Sequence, residues 1–227
     1  MKKTSLLAAA AVLALTSGLA SAAPTAAASS HGALRVVPAQ NPDAVLYDQM
    51  DNDSGIGITS QNFEASFDIY DNMGADDFTV PTGFIWKVGE VDVAGVYYNG
   101  AGPAASVHVA FYKSKGGLPG RLVADFPEVP YTDSTGLGSF NIKLSTKAKL
   151  KEGKYFVGVA ANMDFATGGQ WGFETRTVQS GNPAAWQNPG DGFGTGCTTW
   201  AVESVCIAAG QGPDKMFRIV GKSVAVQ

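Results

Sequence analysis

Hydrophobic and polar side chains alternate with a period of two in short runs between residues 86 and 219. In the clearest run, Val107, Val109 and Phe111 alternate with three smaller or polar residues. The same period recurs over 86–95, 140–144, 155–161 and 216–219, and Gly, Pro, Asn or Asp bounds each run. Alternation of this kind is typical of strands that bury one face. The pattern predicts an all-β fold, a two-sheet antiparallel β-sandwich with a jelly-roll-like topology, over residues 43–222, with a short tail at 223–227.

The first 22 residues follow a different pattern. Lys2 and Lys3 precede an apolar run from Leu6 to Leu15, and Ala20-Ser21-Ala22 then supplies small residues at a cleavage position. A charged start, a short apolar core and small residues at the cut are typical of a secretory signal peptide. Residues 23–42, rich in Ala, Ser and Pro, are expected to form a flexible leader. We therefore expect a secreted or extracellular protein, with the periplasm as an alternative and without membrane insertion.

The charge balance limits the classes of partner that we expect. The 227 residues include 16 Lys and Arg against 20 Asp and Glu. Removal of Lys2 and Lys3 with the signal peptide leaves a net charge of −6 on the mature chain. Nucleic acids and anionic membranes attract basic surfaces, so neither is expected as the main partner. The oligomeric state does not follow from the sequence.

Two cysteines, Cys197 and Cys206, lie nine positions apart. In an oxidising compartment such a pair is expected to form a disulfide. A metal site is a poor alternative, because no His lies near the pair, and a reactive thiol would need an activating base.

The catalytic motifs of common hydrolases are missing from the sequence. His31 falls in the leader and His108 falls on the more exposed face of a predicted strand, and neither G-x-S-x-G nor H-E-x-x-H occurs. We assign no catalytic residue. A glycosidase needs only two carboxylates, so a secreted polysaccharide-active hydrolase stays an alternative, with Glu174 among the candidate acids. Glu174 and Arg176 are expected to share a strand face as a solvated ion pair.

Acidic residues are densest between positions 43 and 77. Hard oxygen ligands at this density suit Ca²⁺, although the spacing does not fit an EF-hand loop. The alternative is that these residues end strands and form turns. The candidate metal ligands are Asp48, Asp51, Asp53, Asp71, Asp76 and Asp77.

Aromatic side chains are the candidates for ligand binding. Aromatic rings offer flat apolar area on which a sugar could stack. We single out Trp186, Trp200, Tyr97 and Tyr98, the two tryptophans because they lie in turn-rich surroundings. The alternative for each is packing in the core, as expected for Trp86.

Several motifs occur together in a familiar order. They are Ala75-Asp76-Asp77-Phe78-Thr79-Val80-Pro81, Trp186-Gln187-Asn188-Pro189-Gly190, Gly196-Cys197-Thr198-Thr199-Trp200 and Asp214-Lys215-Met216-Phe217-Arg218-Ile219. Over nearly the whole mature domain, this order resembles a β-sandwich module of bacterial secreted and surface proteins. That module occurs alone, beside extracellular protease domains, or ahead of sorting tails. The resemblance implies the fold and an extracellular location, and it carries over no catalytic residues.

Together these observations predict a secreted, non-catalytic module that binds carbohydrate or another cell-surface component. A polysaccharide-active hydrolase is the first alternative, and a structural or accessory protein that binds a protein partner is the second.

Overall fold

The computed structural model describes residues 43–207 and 211–226, in which β-strands predominate. The strands are β1 (Ala44–Asp48), β2 (Asp53–Thr59), β3 (Gln61–Asn62), β4 (Met73–Val93), β5 (Gly95–Tyr98), β6 (Ser106–Lys115), β7 (Leu118–Val129), β8 (Tyr131–Asp133), β9 (Phe140–Asn162), β10 (Gln170–Arg176), β11 (Ala185–Gln187), β12 (Ala201–Val202), β13 (Asp214–Lys215) and β14 (Phe217–Ala225). Helical structure in this part of the chain is limited to a 3₁₀ helix (Ala65–Tyr70), α1 (Phe165–Gly168) and α2 (Glu203–Cys206). The predicted signal peptide (1–22), the leader (23–42) and His31 lie outside the described residues.

The strands form two antiparallel sheets, which confirms the predicted two-sheet sandwich. The larger sheet has the order β1-β14-β4-β9-β6-β7, and β3, β8, β11 and β12 join it beside this path. The smaller sheet consists of β2, β5, β10 and β13. Among the described strands, β3 and β9 pair in parallel over two residues, while the other pairs are antiparallel. The jelly-roll topology stays a prediction.

Two strands are much longer than the sequence runs indicate. β4 has 21 residues and β9 has 23 residues, and they pair along most of their length. The runs at 140–144 and 155–161 therefore belong to one strand. Register shifts between Val80 and Ile85 and between Val88 and Glu90 keep the pairing intact where the alternation breaks. Such irregularities bend and twist a strand without ending it.

The main core lies between the two sheets. Trp171 and Phe173 of β10 join buried side chains of β4, β6, β9 and β14 in one cluster. Phe140 stacks on Trp171 with ring centroids 5.0 Å apart. Trp86 is buried in the same cluster, which confirms its predicted place in the core.

Some strand ends coincide with glycine-rich segments of the sequence, whereas others differ from the predicted bounds. Gly116 and Gly117, both with positive φ, form the turn between β6 and β7. β14 continues to Ala225, so residues 223–225 of the predicted tail are paired with β4 instead of lying beyond the domain.

No helix in the described part of the chain is long and apolar enough to cross a membrane.

Candidate functional site

A polar groove opens where the segment 61–73 meets the larger sheet. We call it the amide groove, and its volume is about 330 Å³. Its lining combines side-chain amides and carboxylates with a few apolar residues: Gln61, Asn62, Asp71, Asn72, Met73, His108, Pro127, Glu128, Ala160, Asn162, Gln187 and Pro189. β3, β4, β6, β7, β9 and β11 each contribute to this lining or border it.

Asn72 is the most unusual residue of the amide groove. Its side chain is 5% exposed, and its Nδ2 donates a hydrogen bond to the carbonyl oxygen of Tyr70 at 2.9 Å. Its Oδ1 is buried and has no hydrogen-bond partner among the described residues. A buried acceptor without a partner costs roughly 1–3 kcal/mol, and most buried polar groups in folded proteins are paired. Asn72 therefore borders the groove with a side chain whose acceptor the fold leaves without a donor.

The wall of the amide groove is fixed by its own hydrogen bonds. Gln61 is fully buried, accepts from the backbone N–H of Trp171 at 2.8 Å and donates to the carbonyl oxygen of Met163 at 2.6 Å. Asn162 donates to the Ser106 hydroxyl oxygen at 2.8 Å. These contacts hold the wall in one geometry, whereas the side chain of Gln187 makes no hydrogen bond to the described residues.

Three titratable residues also line the amide groove. Burial raises the pKa of Asp71, whose Oδ1 accepts from the backbone N–H of Phe63 at 2.7 Å. Glu128 is exposed. His108 is half-buried on the outer face of β6, and its Nε2 lies 2.6 Å from Asp125 Oδ1. No Ser, Thr or Cys side chain in the described ranges forms a hydrogen bond to this ring.

The candidate calcium ligands are dispersed over separate contacts. Asp48 pairs with Arg218 at 2.8 Å, and Asp51 pairs with Arg176 at 2.6 Å, a hydrogen bond that lowers the pKa of Asp51. Asp53 accepts from the backbone N–H of Gly55 at 2.7 Å, as a turn former does.

Besides Asp71 of the amide groove, the other two candidate ligands, Asp76 and Asp77, are engaged inside the protein. Asp76 is fully buried and accepts from Gln49 Nε2 and from the backbone N–H of Lys215, each at 2.7 Å. Burial and the nearby Asp214 raise the pKa of Asp76. Asp77 accepts from Asn182 Nδ2 at 2.6 Å. Within 43–207 and 211–226, no group of three His, Cys, Asp or Glu side chains is placed to hold a metal ion.

The four candidate aromatic residues do not form one surface. Trp186 is fully buried and donates its Nε1–H to the carbonyl oxygen of Thr59 at 2.9 Å, so its ring offers no surface to a ligand. Trp200 packs edge-on against Tyr112 with ring centroids 5.4 Å apart. Tyr97 and Tyr98 lie in the other sheet on β5, where Tyr97 contacts Phe140. Adjacent residues of a strand point to opposite faces, which separates these two tyrosines.

The predicted disulfide between Cys197 and Cys206 is confirmed, with Cα atoms 5.8 Å apart. Cys197 belongs to a small cluster with Ile58 and Trp186, and Cys206 packs against it. The disulfide therefore closes the segment that covers Trp186. The predicted Glu174–Arg176 pair is wrong, because Arg176 is buried and pairs with Asp51 and Asp214.

Sequence reasoning missed the amide groove. Its residues come from positions 61 to 189, and amides carry neither a catalytic motif nor a hydrophobic period. The one available signal was the density of Asn and Asp before position 77, for which we considered a metal site and turn formation as alternatives.

Comparison with known proteins found no matching family model, no matching curated protein and no matching solved structure.

Proposed function

We propose that this protein is a secreted, non-catalytic module that binds carbohydrate in the amide groove. The observation that carries the proposal is Asn72, a residue that lines the groove and whose buried Oδ1 has no partner among the described residues. A sugar hydroxyl donates to such an acceptor and at the same time accepts from a neighbouring amide. Its binding would restore the hydrogen bond that the folded chain leaves unmade.

The rest of the lining supports a neutral polyhydroxylated ligand. Amide side chains both donate and accept hydrogen bonds, as sugar hydroxyls do, and carboxylates such as Asp71 and Glu128 accept from them. No Lys or Arg lines the groove, so it lacks the charge that a phosphate or sulfate group would need. Met73, Pro127 and Pro189 add apolar contacts for the carbon face of a ring. The signal-like segment at residues 1–22 supports a ligand outside the cell.

The test is a binding screen followed by calorimetry. Purified protein is screened against neutral oligosaccharides, including fragments of β-1,4-glucan, xylan, mannan and chitin. The dissociation constant of the best binder is then measured for the wild type and for Asn72→Leu, which keeps the branched shape and removes both the acceptor and the Nδ2 donor to Tyr70. We expect a roughly tenfold loss of affinity, because one buried hydrogen bond is removed.

Two further variants control for structural damage. Gln187→Ala removes a groove side chain that holds no described part of the fold, and it should also weaken binding. Asn182→Ala breaks the hydrogen bond to Asp77 outside the groove, and it should leave binding unchanged. Absence of binding to every oligosaccharide, or binding that Asn72→Leu and Gln187→Ala leave intact, would contradict the proposal.

Hydrolysis of a polysaccharide is the second candidate, because Asp71 and Glu128 line the same groove. Burial raises the pKa of Asp71, a shift toward the range in which a carboxylic acid can act as a general acid. Turnover of an oligosaccharide that is lost in both Asp71→Asn and Glu128→Gln, in folded protein, would replace binding by hydrolysis. We expect no turnover.

A further inference from the structure

A second cavity is lined almost entirely by aromatic rings. It is built in part by residues 61–73, the segment that also lines the amide groove. We call it the aromatic pocket. Its volume is about 260 Å³, and it is lined by Phe63, Phe67, Tyr70, Phe165, Gln170 and Phe193. The rings form a chain of contacts, with Phe67 and Phe165 centroids 5.7 Å apart and Tyr70 and Phe193 centroids 5.2 Å apart.

Hydrogen bonds join the three segments that build the aromatic pocket, residues 61–73, 162–170 and 188–196. Glu64 Oε2 accepts from the backbone N–H of Phe165 at 2.7 Å, which ties α1 to the start of the 3₁₀ helix. Asn188 donates to the carbonyl oxygen of Ile69 at 2.8 Å and accepts from the backbone N–H of Phe193 at 3.1 Å. The rings are thus positioned before any ligand arrives, which lowers the entropic cost of binding.

The loop that carries Phe193 approaches the 3₁₀ helix so closely that it needs glycine. A Cβ atom at Gly190 would lie 2.5 Å from the Ile69 backbone, and one at Gly192 would lie 2.7 Å from the Ile69 carbonyl oxygen. Neither contact is possible for a larger residue without a shift of the loop. Glycine at both positions therefore allows Phe193 to reach the pocket.

The mouth of the aromatic pocket is open and apolar. Phe165 is 38% exposed and Phe193 is 37% exposed. The single amide in the lining, Gln170, already accepts from Asn99 Nδ2 at 2.7 Å through its Oε1. The pocket therefore has little to offer the many hydroxyl groups of a sugar.

The charged residues of the segments that build the aromatic pocket have one sign. The three segments that build it are 61–73, 162–170 and 188–196, and none of them contains Lys or Arg. Their charged residues are all acidic: Glu64, Asp68, Asp71, Asp164 and Asp191. Aromatic faces carry negative electrostatic potential, and carboxylates nearby add to it. This environment favours a cation and disfavours an anion.

From these observations we propose that the aromatic pocket binds an organic cation of the quaternary ammonium class, such as a trimethylammonium head group. A cation held within about 6 Å of several ring centroids is attracted to each ring. Methyl groups on the nitrogen satisfy the apolar walls, and no N–H is left in need of an acceptor. The volume is below the roughly 300–1,000 Å³ typical of sites for drug-sized ligands, which fits a small head group.

The direct test compares a charged ligand with its neutral isostere. Calorimetric or NMR titration with choline is set against 3,3-dimethylbutan-1-ol, in which carbon replaces the nitrogen and the shape is kept. We expect choline to bind at least fivefold more tightly, because only the charge differs. Equal affinity for the two would mean a purely hydrophobic pocket and would overturn the proposal, as would no binding of choline at tens of millimolar.

Matched variants locate the site. Phe165→Leu and Phe193→Leu keep apolar bulk at the mouth but remove the ring, and each should weaken choline binding severalfold. Phe84→Leu alters a phenylalanine of similar exposure, 39%, on β4 outside the pocket, and it should have no effect. Choline affinity that is unchanged in both pocket variants would also overturn the proposal. Because these variants leave the amide groove intact, oligosaccharide binding should persist in them, which separates this proposal from the preceding one.

Discussion

At the scale of single residues, a fully buried ion pair has the largest expected effect on stability. Lys215 Nζ lies 2.6 Å from Glu203 Oε2, and both side chains are almost completely inaccessible to solvent. Burial lowers the pKa of Lys215 and raises that of Glu203, while each partner's charge opposes the shift in the other. Removal of one partner of such a pair leaves a buried charge without compensation.

We therefore predict that Lys215→Met lowers the free energy of unfolding by about 3–5 kcal/mol at pH 7. The double variant Lys215→Met, Glu203→Leu should recover most of this loss, because apolar residues of similar volume often replace a buried pair at little cost. Urea denaturation of the wild type and both variants gives the comparison. A double variant as unstable as the single one would show that the cost lies in packing and not in the unpaired charge.

Asp214 should make stability depend on pH in an unusual direction. Burial raises its pKa from 3.8 to about 6, although the Ser180 backbone N–H and Arg176 both favour the carboxylate. As the pH rises from 3.8 to 6, the unfolded chain loses this proton first, so stability falls through that window and is constant above it.

Asp214→Asn should remove this dependence while keeping an acceptor for the Ser180 N–H. Relative to the wild type, the variant's free energy of unfolding should rise by up to about 3 kcal/mol between pH 4 and pH 7. Denaturation series at the two pH values measure it. A difference that stays constant, or that shifts toward the wild type, would mean that Asp214 ionises normally.

Because the candidate aspartates are engaged in separate contacts, we predict that calcium does not change the stability of the protein. Asp48 and Asp51 are paired with arginines, and Asp76 and Asp77 accept hydrogen bonds from neighbouring residues. Millimolar Ca²⁺ should therefore leave the melting temperature unchanged. A bound ion at a hundredfold excess over its dissociation constant would add about 2.7 kcal/mol, and EDTA would reverse the gain.

At the scale of elements, the Cys197–Cys206 bond stabilises one local segment. Replacement of both cysteines by Ala should lower the free energy of unfolding by roughly 1–3 kcal/mol, because the closed loop is short. The two sheets should remain folded, and amide hydrogen exchange should increase chiefly around α2, β11 and β12. Loss of protection throughout β4 and β9 would show that the bond supports the whole domain.

The strands themselves were predictable where alternation is unbroken. The runs at 106–111 and 155–161 lie in β6 and β9, and their apolar positions are buried in the core. The length of β4 and β9 was not predictable, because Pro81, Gly83 and Gly153 interrupt the pattern in the way that turns do. In the fold these residues lie at a register shift between Val80 and Ile85 and do not end either strand.

The two cavities were harder to predict than the strands. Trp186 lies among turn residues in sequence, yet the disulfide-closed segment and Ile58 bury it. Asn72 is ordinary as a sequence position, and the groove that it lines is completed by residues of β6, β9 and β11, which come later in the chain. Long-range placement of this kind leaves no periodic trace in the sequence.

At the scale of the whole molecule, the sandwich positions the segments that line the two cavities. Gln61, Asn62, Asp71, Asn72 and Met73 line the amide groove. The residues between them supply Phe63, Phe67 and Tyr70 to the aromatic pocket. One segment, residues 61–73, thus lines both cavities. Segments that a scaffold positions at its surface are where binding and catalytic residues concentrate in proteins generally.

The most direct test of the account is to map a bound oligosaccharide on the protein surface. Uniformly ¹⁵N-labelled protein is titrated with the oligosaccharide that binds best, and the backbone and side-chain amide resonances are followed. We predict that the side-chain amides of Asn72, Gln187 and Asn162 shift, together with backbone amides of the surrounding groove. Shifts confined to other surfaces, or a spectrum that no oligosaccharide changes, would contradict the claim that the amide groove binds carbohydrate.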